Sequence, residues 1–467
     1  MNGFLTWMEK HFMPVAAKIG GQKHLVAIRD AFVSIMPVTM VGSIAVLLNV
    51  FLRDLPNTWF GTGNKFVQSV VQQLININGN IYFGSIFVLG LVFTFSLGYQ
   101  IANIYGVNPI AGGVVAFSAV VTTMNQSIIF DYVLPGVSAS SLDALKSLGL
   151  NVGLSVDKTG VSLLGVSDSG YLSQSYIGAS GIFTCLIVGF ISSMIYVKLM
   201  LKKITIKLPS SVPPAVSNSF AAIIPGTIAI YTFGVITQIC IATTGLYPND
   251  LIVKWIQEPL LSLSQGFFSV VLIAFLIQLF WFFGLHGHNV LAPILEGIYS
   301  TASLRNLEHW NLFQTVNDMP FSWTRGSFDA YAQMGGAGAT LGLLIAIFIF
   351  SKRNDVKTIA KLSAPMGVFN INEPIIFGLP IVLNPLYMIP WLIVPPICVA
   401  VAYLFTTVGI IPPVFVQVPW VMPVGVYAFF ATGGNILAAG VAILNLFISF
   451  LIWTPFVLLA NRMENKK

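Results

Sequence analysis

Charge is scarce in this sequence. Only 8% of its 467 residues are Asp, Glu, Lys or Arg, against roughly 25% in a soluble globular domain. The 22 basic and 16 acidic side chains are too few to coat a soluble fold of this length, so the exterior must face lipid. Cysteine is equally sparse. Cys185, Cys240 and Cys398 each sit in an apolar run without metal-type spacing, which reads as core filler and leaves no metal and no cofactor to expect. No basic patch is interleaved with stacking aromatics, which argues against nucleic acid. The net charge of +6 instead fits the cytoplasmic excess of Lys and Arg in membrane proteins. The N-terminus has no long apolar core, because Glu9, Lys10 and His11 interrupt it, and this excludes a secretory signal.

What is present is apolar sequence in long runs. A helix needs about 20 mostly apolar residues to cross the hydrocarbon core. Runs of that kind cover 31–52, 81–101, 109–130, 176–201, 220–246, 267–285, 337–350, 386–407 and 436–459. Phe4, Met8, Phe12 and Val15 recur at helical spacing, which predicts a helix lying along the membrane surface. Three apolar segments are short or broken by Gly and Pro: 287–297, 372–385 and 412–430. Non-helical backbone survives at membrane depth only where protein or a watery cavity satisfies its amides, so these are candidate re-entrant segments near a binding site.

Clusters of Lys and Arg at 10–29, 198–207, 352–361 and 462–467 are expected to be cytoplasmic, with both termini inside. An even number of crossings between clusters then requires one more in the 287–334 region. The expected fold is an all-α membrane protein of about ten transmembrane helices with two re-entrant hairpins. The segment 131–175 is expected to be an extracellular loop. Ile252, Trp255, Ile256, Leu260 and Leu263 form one helical face opposite Lys254 and Glu258, which suits the outer interface. That stretch divides the chain into 1–248, an N-terminal helical bundle, and 249–467, a C-terminal substrate-binding half.

An ionisable group inside an apolar segment costs about 2.5–3.5 kcal/mol on insertion scales and usually faces a cavity. Two groups pass this filter, His286 in WFFGLHGHN and Glu373 in FNINEPIIFGLP. Asn372 and Pro374 imply bent backbone at Glu373. A carboxylate beside an amide accepts from sugar hydroxyls while Asn372 both donates and accepts; the bland alternative is a helix cap or a partner for a buried cation. His286 precedes Gly287 and is suited to general-base work near neutral pH, or else to a hydrogen bond with a neighbouring helix. His288 is a candidate pocket wall, and Glu296 is expected to face water beyond the hairpin. Trp281 and Trp420 offer aromatic plates for the apolar face of a pyranose, with packing or a membrane-interface belt as the alternative. Arg305, Glu308, Arg325 and Asp329 read as a solvated loop.

At these motifs the sequence resembles the IIC membrane subunits of the phosphoenolpyruvate-dependent phosphotransferase system, in the lactose/cellobiose/diacetylchitobiose family. The similar strings are KIGGQKHLVAIRDAFVSIMP (18–37), KLPSSVPPAVSNSFAAIIPG (207–226), WFFGLHG (281–287), MGGAGATLGL (334–343), NEPIIFGLPIVLNP (372–385) and IIPPV (410–414). The resemblance implies a homodimer in a bacterial inner membrane, with the first half at the subunit contact and the second holding sugar between opposed hairpins. It places the catalytic pair on His286 and Glu373, and the pocket aromatics on Trp281 and Trp420. His288, just after the usual His-Gly pair, is a departure that changes the pocket wall. It further implies import of a β-linked disaccharide with coupled phosphorylation by a phosphocysteine on a cytoplasmic IIB partner, itself served by IIA. IIB and IIA are expected as separate polypeptides, because no cysteine lies in a polar cytoplasmic stretch. The rival readings are a proton-coupled secondary disaccharide transporter, with Glu373 and His286 as a titrating relay, and a sugar sensor that binds without net transport.

Overall fold

The computed structural model describes residues 18, 21–49, 51–52, 65–154, 160–209, 211–379 and 381–464. The expected surface helix through Phe4, Met8, Phe12 and Val15 lies outside them. The chain begins with α1 (Lys23–Asn49), α2 (Lys65–Phe83), α3 (Leu89–Ile104) and α4 (Pro109–Thr122). After a sheet of β1 (Ser127–Ser138), β2 (Val152–Leu154) and β3 (Gly160–Ser169) come α5 (Ile182–Leu201) and α6 (Pro214–Thr244). Then follow α7 (Pro248–Ser264), α8 (Phe267–Phe282), α9 (Ser300–Phe313), α10 (Arg325–Ala332) and α11 (Thr340–Phe350). The last long helices are α12 (Asn354–Val368), α13 (Pro385–Thr407) and α14 (Ile436–Glu464).

Among the described residues, six helical segments are long and apolar enough to cross a membrane: α1, α5, α6, α13, α14 and the stretch Arg325–Phe350. A seventh arises if α7 and α8, bent by 77°, form one broken span. Two expected spans appear instead as shorter apolar helices, α3 and α4. The 81–101 run breaks at 84–88, where Ser85 Oγ donates to the Ile81 carbonyl at 2.6 Å and so satisfies a helix end. The 109–130 run stops at Thr122, and Thr123 Oγ donates to the Val120 carbonyl at 2.7 Å.

The all-α expectation needs a correction. The chain is mostly helical, but the segment read as an extracellular loop carries an antiparallel sheet of order β1-β3-β2. The reason is local. β1 contains Ile128, Ile129, Phe130, Tyr132 and Val133, residues that favour a pleated surface. The Asp131 carboxylate accepts the Gly165 N–H at 3.0 Å across the irregularity in the β1–β3 register, where Gly165 adopts φ +67° inside β3.

Small residues let the apolar helices approach. A Cβ on Gly98 of α3 would lie 2.5 Å from the Gly112 carbonyl oxygen of α4, the close backbone approach that membrane helices use in place of a hydrophobic drive. The glycine-rich segment 335–339 solves a harder problem, because its broken backbone sits buried where lipid offers no hydrogen bonds. Side chains of α8 and α14 supply several of them, and α14 also ties the neighbouring backbone. Gln278 Oε1 accepts the Gly338 N–H at 2.9 Å, and Trp453 Nε1 donates to the Gly338 carbonyl at 3.2 Å. Ser449 Oγ donates to the Ala339 carbonyl at 2.9 Å. Asn445 Nδ2, in mid-helix, bridges the Tyr331 and Cys398 carbonyls at 2.9 and 2.8 Å.

Candidate functional site

The two broken segments put His286 and Glu373 at the starts of short helices. His286 is the N-cap of Gly287–Val290, and its Nδ1 accepts the Asn289 N–H at 3.3 Å. Gly287 is obligatory there, since an added Cβ would collide with the Ile277 carbonyl oxygen of α8. Glu373 is the first residue of Glu373–Gly378, followed by Pro374 and preceded by the buried Asn372. Proline in that first turn removes an N–H that would have had no partner.

Both side chains line one chamber of about 300 Å³, together with Trp281, His288, Asn372 and Trp420. All six residues expected from the sequence are therefore at one place. Trp281 is buried while Trp420 is 47% exposed, so the first ring is a wall and the second is open to the chamber. The Trp281 and His286 rings lie 4.4 Å apart between centroids, and Trp281 Nε1 donates to His288 Nδ1 at 3.4 Å. His288 is thus oriented by the tryptophan beside it. Asn372 Nδ2 donates to the Ala337 carbonyl at 2.8 Å, so one of its donors ties the Glu373 segment to the glycine-rich stretch 335–339.

The chamber also contains residues that the sequence pattern did not single out, or pointed elsewhere. Asn370, at φ +64°, accepts the Gly335 N–H at 2.9 Å and donates to the Trp420 and Met422 carbonyls at 2.7 and 2.8 Å. It holds three segments of the wall in register. Arg29, read only as part of a basic cluster, lines the chamber beside Met36.

Arg325 and Asp329 correct the loop reading. They lie on a helix, and Arg325 Nη1 donates to Asp329 Oδ1 at 2.7 Å while its Nε donates to Glu296 Oε1 at 3.2 Å. Glu296 also accepts from Ser300 Oγ at 2.6 Å. It is turned inward by a π-helical turn over Leu295–Tyr299, a distortion common at functional sites. The Glu296–Arg325–Asp329 triad joins the chamber to a smaller lobe of about 130 Å³ that runs along α1 past Thr39. Arg305 and Glu308 are on α9 and outside both cavities: Arg305 pairs with Glu258 at 2.6 Å, and Glu308 accepts from Ser180 Oγ at 3.1 Å.

A bundle of apolar helices around a chamber with a carboxylate, two imidazoles, amides and aromatic plates defines a multi-pass membrane protein built to hold a small polar solute. The family model described as "Phosphotransferase system, EIIC" matches residues 29–395. The chain belongs to this family, in its lactose/cellobiose/diacetylchitobiose branch. It is 39% identical to the "PTS system cellobiose-specific EIIC component" of Lactococcus lactis over 99% of each chain. It is 30% identical to the "PTS system oligo-beta-mannoside-specific EIIC component" of Bacillus subtilis, covering 98% of this chain and 95% of the relative. The crystal structure of ChbC, titled the IIC component of an N,N'-diacetylchitobiose-specific phosphotransferase system, superposes with a TM-score of 0.83 at 28% identity over 98% of each chain.

Proposed function

We propose that this chain imports a β-linked disaccharide of the cellobiose, lactose or chitobiose type and presents it to a phosphocysteine-bearing IIB partner for phosphorylation. The observation that carries the reading is that Glu373, His286, Trp281 and Trp420 share one chamber, whose volume is at the lower end of small-ligand pockets. The sugar is the guest for which two costly polar groups are retained inside apolar segments.

The reaction asks the membrane subunit for positioning and a proton acceptor. A sugar hydroxyl oxygen forms the new bond to phosphorus, the phosphorus–sulfur bond of phosphocysteine breaks, and the cysteine leaves as thiolate. The hydroxyl proton must go to a group in the chamber. His286 Nδ1 already accepts a backbone N–H, so a neutral ring carries its proton on Nε2 and donates there. We assign the proton acceptor to Glu373 and the orienting donor to His286. Trp281 and Trp420 pack on pyranose faces, and Asn372 with His288 completes the wall.

The same reading includes a finer architecture: ten spans, re-entrant hairpins around 287–297 and 372–385, both termini cytoplasmic, and a homodimer formed through residues 1–248. Proteoliposome uptake tests the function. Sugar is expected inside as its phosphate, and only when phosphorylated IIB is supplied. Accumulation of unmodified sugar under a pH gradient alone would transfer the chain to proton-coupled transport.

A further inference from the structure

We propose that Arg29 is the phosphoryl-binding residue of the chamber, its guanidinium holding the oxygens of the group that passes from the IIB phosphocysteine to the sugar. The proposal rests on the reading of the chain as a carrier whose sugar accepts a phosphoryl group. Such a transfer leaves little covalent chemistry to the protein and asks it for cations around the moving group. Among the described residues, the arginines of the chamber are Arg29 and Arg325. They are not equally available. Arg325 is bridged between two carboxylates, Nε to Glu296 and Nη1 to Asp329, so its charge is cancelled within the triad. Arg29 has one carboxylate, that of its sequence neighbour Asp30, and its Nε and Nη2 both meet the same oxygen, at 2.8 and 2.7 Å. Its Nη1 has no hydrogen-bond partner among the described residues. The two side chains are 28% and 35% exposed, and an ion pair open to solvent to that degree holds its partners weakly. Phosphoryl oxygens offer the planar fork two parallel acceptors, a stronger match than one carboxylate oxygen.

The place of Arg29 on α1 supports the assignment. Arg29, Val33 and Met36 fall on one helical face and line the chamber, while Met36, Thr39 and Met40 continue along the smaller lobe. Arg29 is therefore at the end of this face nearest Lys23 and the basic cluster, the end expected to be cytoplasmic, where IIB approaches. The reacting groups are at the same place. His286 and Glu373 line the chamber with Arg29, and the Arg29 charge is felt at the His286 ring. The charge balance follows from the chemistry. The sugar hydroxyl gives its proton to Glu373 as its oxygen bonds to phosphorus and the phosphorus–sulfur bond breaks, so the carboxylate is neutralised while the phosphate monoester forms. A guanidinium against the phosphoryl oxygens then holds the transferred negative charge.

Arg29→Gln and Arg29→Lys test the assignment in the full-length protein in detergent. Calorimetric titration with cellobiose, lactose and N,N'-diacetylchitobiose, and with the phosphate monoester of each, gives the ratio of affinities for phosphorylated and free sugar. Single-turnover transfer from phosphorylated IIB gives the rate. Arg29→Gln is expected to bind free sugar within about two-fold of wild type and to lose about ten-fold in the ratio. Its transfer at saturating IIB should slow by about 10²–10³-fold. Arg29→Lys, which keeps the charge but not the fork, should recover part of both. An unchanged ratio in Arg29→Gln would overturn the proposal, as would equal losses for free and phosphorylated sugar. A slow transfer that is restored by raising the IIB concentration would also overturn it, since Arg29 would then serve docking. A wild-type protein that transfers no phosphoryl group to any of the three sugars would remove the underlying carrier reading itself.

Discussion

At the scale of single residues, the chamber separates groups that act from groups that hold them. Glu373 and His286 face the cavity, whereas Asn370 makes three hydrogen bonds to backbone and presents little to a guest. The two kinds of residue should fail differently. Glu373→Gln keeps a hydrogen-bonding side chain of the same shape but removes the proton acceptor. Sugar affinity is expected to stay within about ten-fold of wild type while phosphorylation by phosphorylated IIB slows by about 10²–10⁴-fold. Parallel loss of binding and phosphorylation, measured by titration and by single-turnover transfer, would return Glu373 to a purely binding role. Asn370→Ala should instead lower stability by about 2–3 kcal/mol, the sum of three buried hydrogen bonds at the modest value each has in a membrane protein. Affinity should fall with it through the displaced Trp420. A denaturation midpoint equal to wild type would show that Asn370 is not the clamp.

At the scale of elements, irregular backbone is the costly feature, and neighbouring helices compensate it one hydrogen bond at a time. Gly338 sits at φ +76°, and a Cβ there would lie 2.5 Å from the Trp391 ring. Trp391 is itself fixed through Nε1 to the Gln278 carbonyl at 2.9 Å. Gly338→Ala therefore combines overpacking, about 1–3 kcal/mol, with left-handed strain of about 1 kcal/mol. The expected result is a thermal midpoint well below wild type at neutral sugar occupancy, and a variant as stable as wild type would refute the packing argument. This is also where reading the sequence succeeds and stops. His286 and Glu373 were legible because polar groups in apolar runs carry a large energetic signature, and Gly and Pro beside them signal broken backbone. Arg325 and Asp329 were not, because α10 is polar enough to pass for a loop, and only a tertiary partner, Glu296 on a π-turn, reveals that their charges are compensated inside. The sheet of β1 to β3 was missed for a related reason: the Asp, Ser, Gly and Pro residues within its strands look like loop chemistry.

At the scale of the whole molecule, the described residues include a polar contact between distant parts of the chain that no cavity explains. Ser180, in the turn before α5, donates to Glu308 of α9 across 128 residues of sequence. α9 is not among the candidate spans. Burial pushes the Glu308 carboxyl above its ordinary range, outweighing the Ser180 hydroxyl and Arg305 one turn earlier, while Tyr82 of α2 also faces it. The sign follows from linkage: a raised folded-state pKa means that the folded protein binds this proton more tightly than the unfolded chain. The stabilisation is complete below the ordinary value of 4.5 and is lost as pH rises through the raised one. Glu308→Gln imitates the protonated form at every pH. Its advantage in thermal midpoint over wild type should be absent near about pH 4, grow as the pH rises, and level off once the wild-type carboxyl is fully ionised. Arg305, which acts on the Glu308 carboxyl, has a second partner in Glu258 at 2.6 Å. A difference between the two proteins that stays constant from about pH 4 to about pH 8 would mean that Glu308 titrates alike in the folded and unfolded chains, and that the Ser180 contact joins these segments without any dependence on protonation.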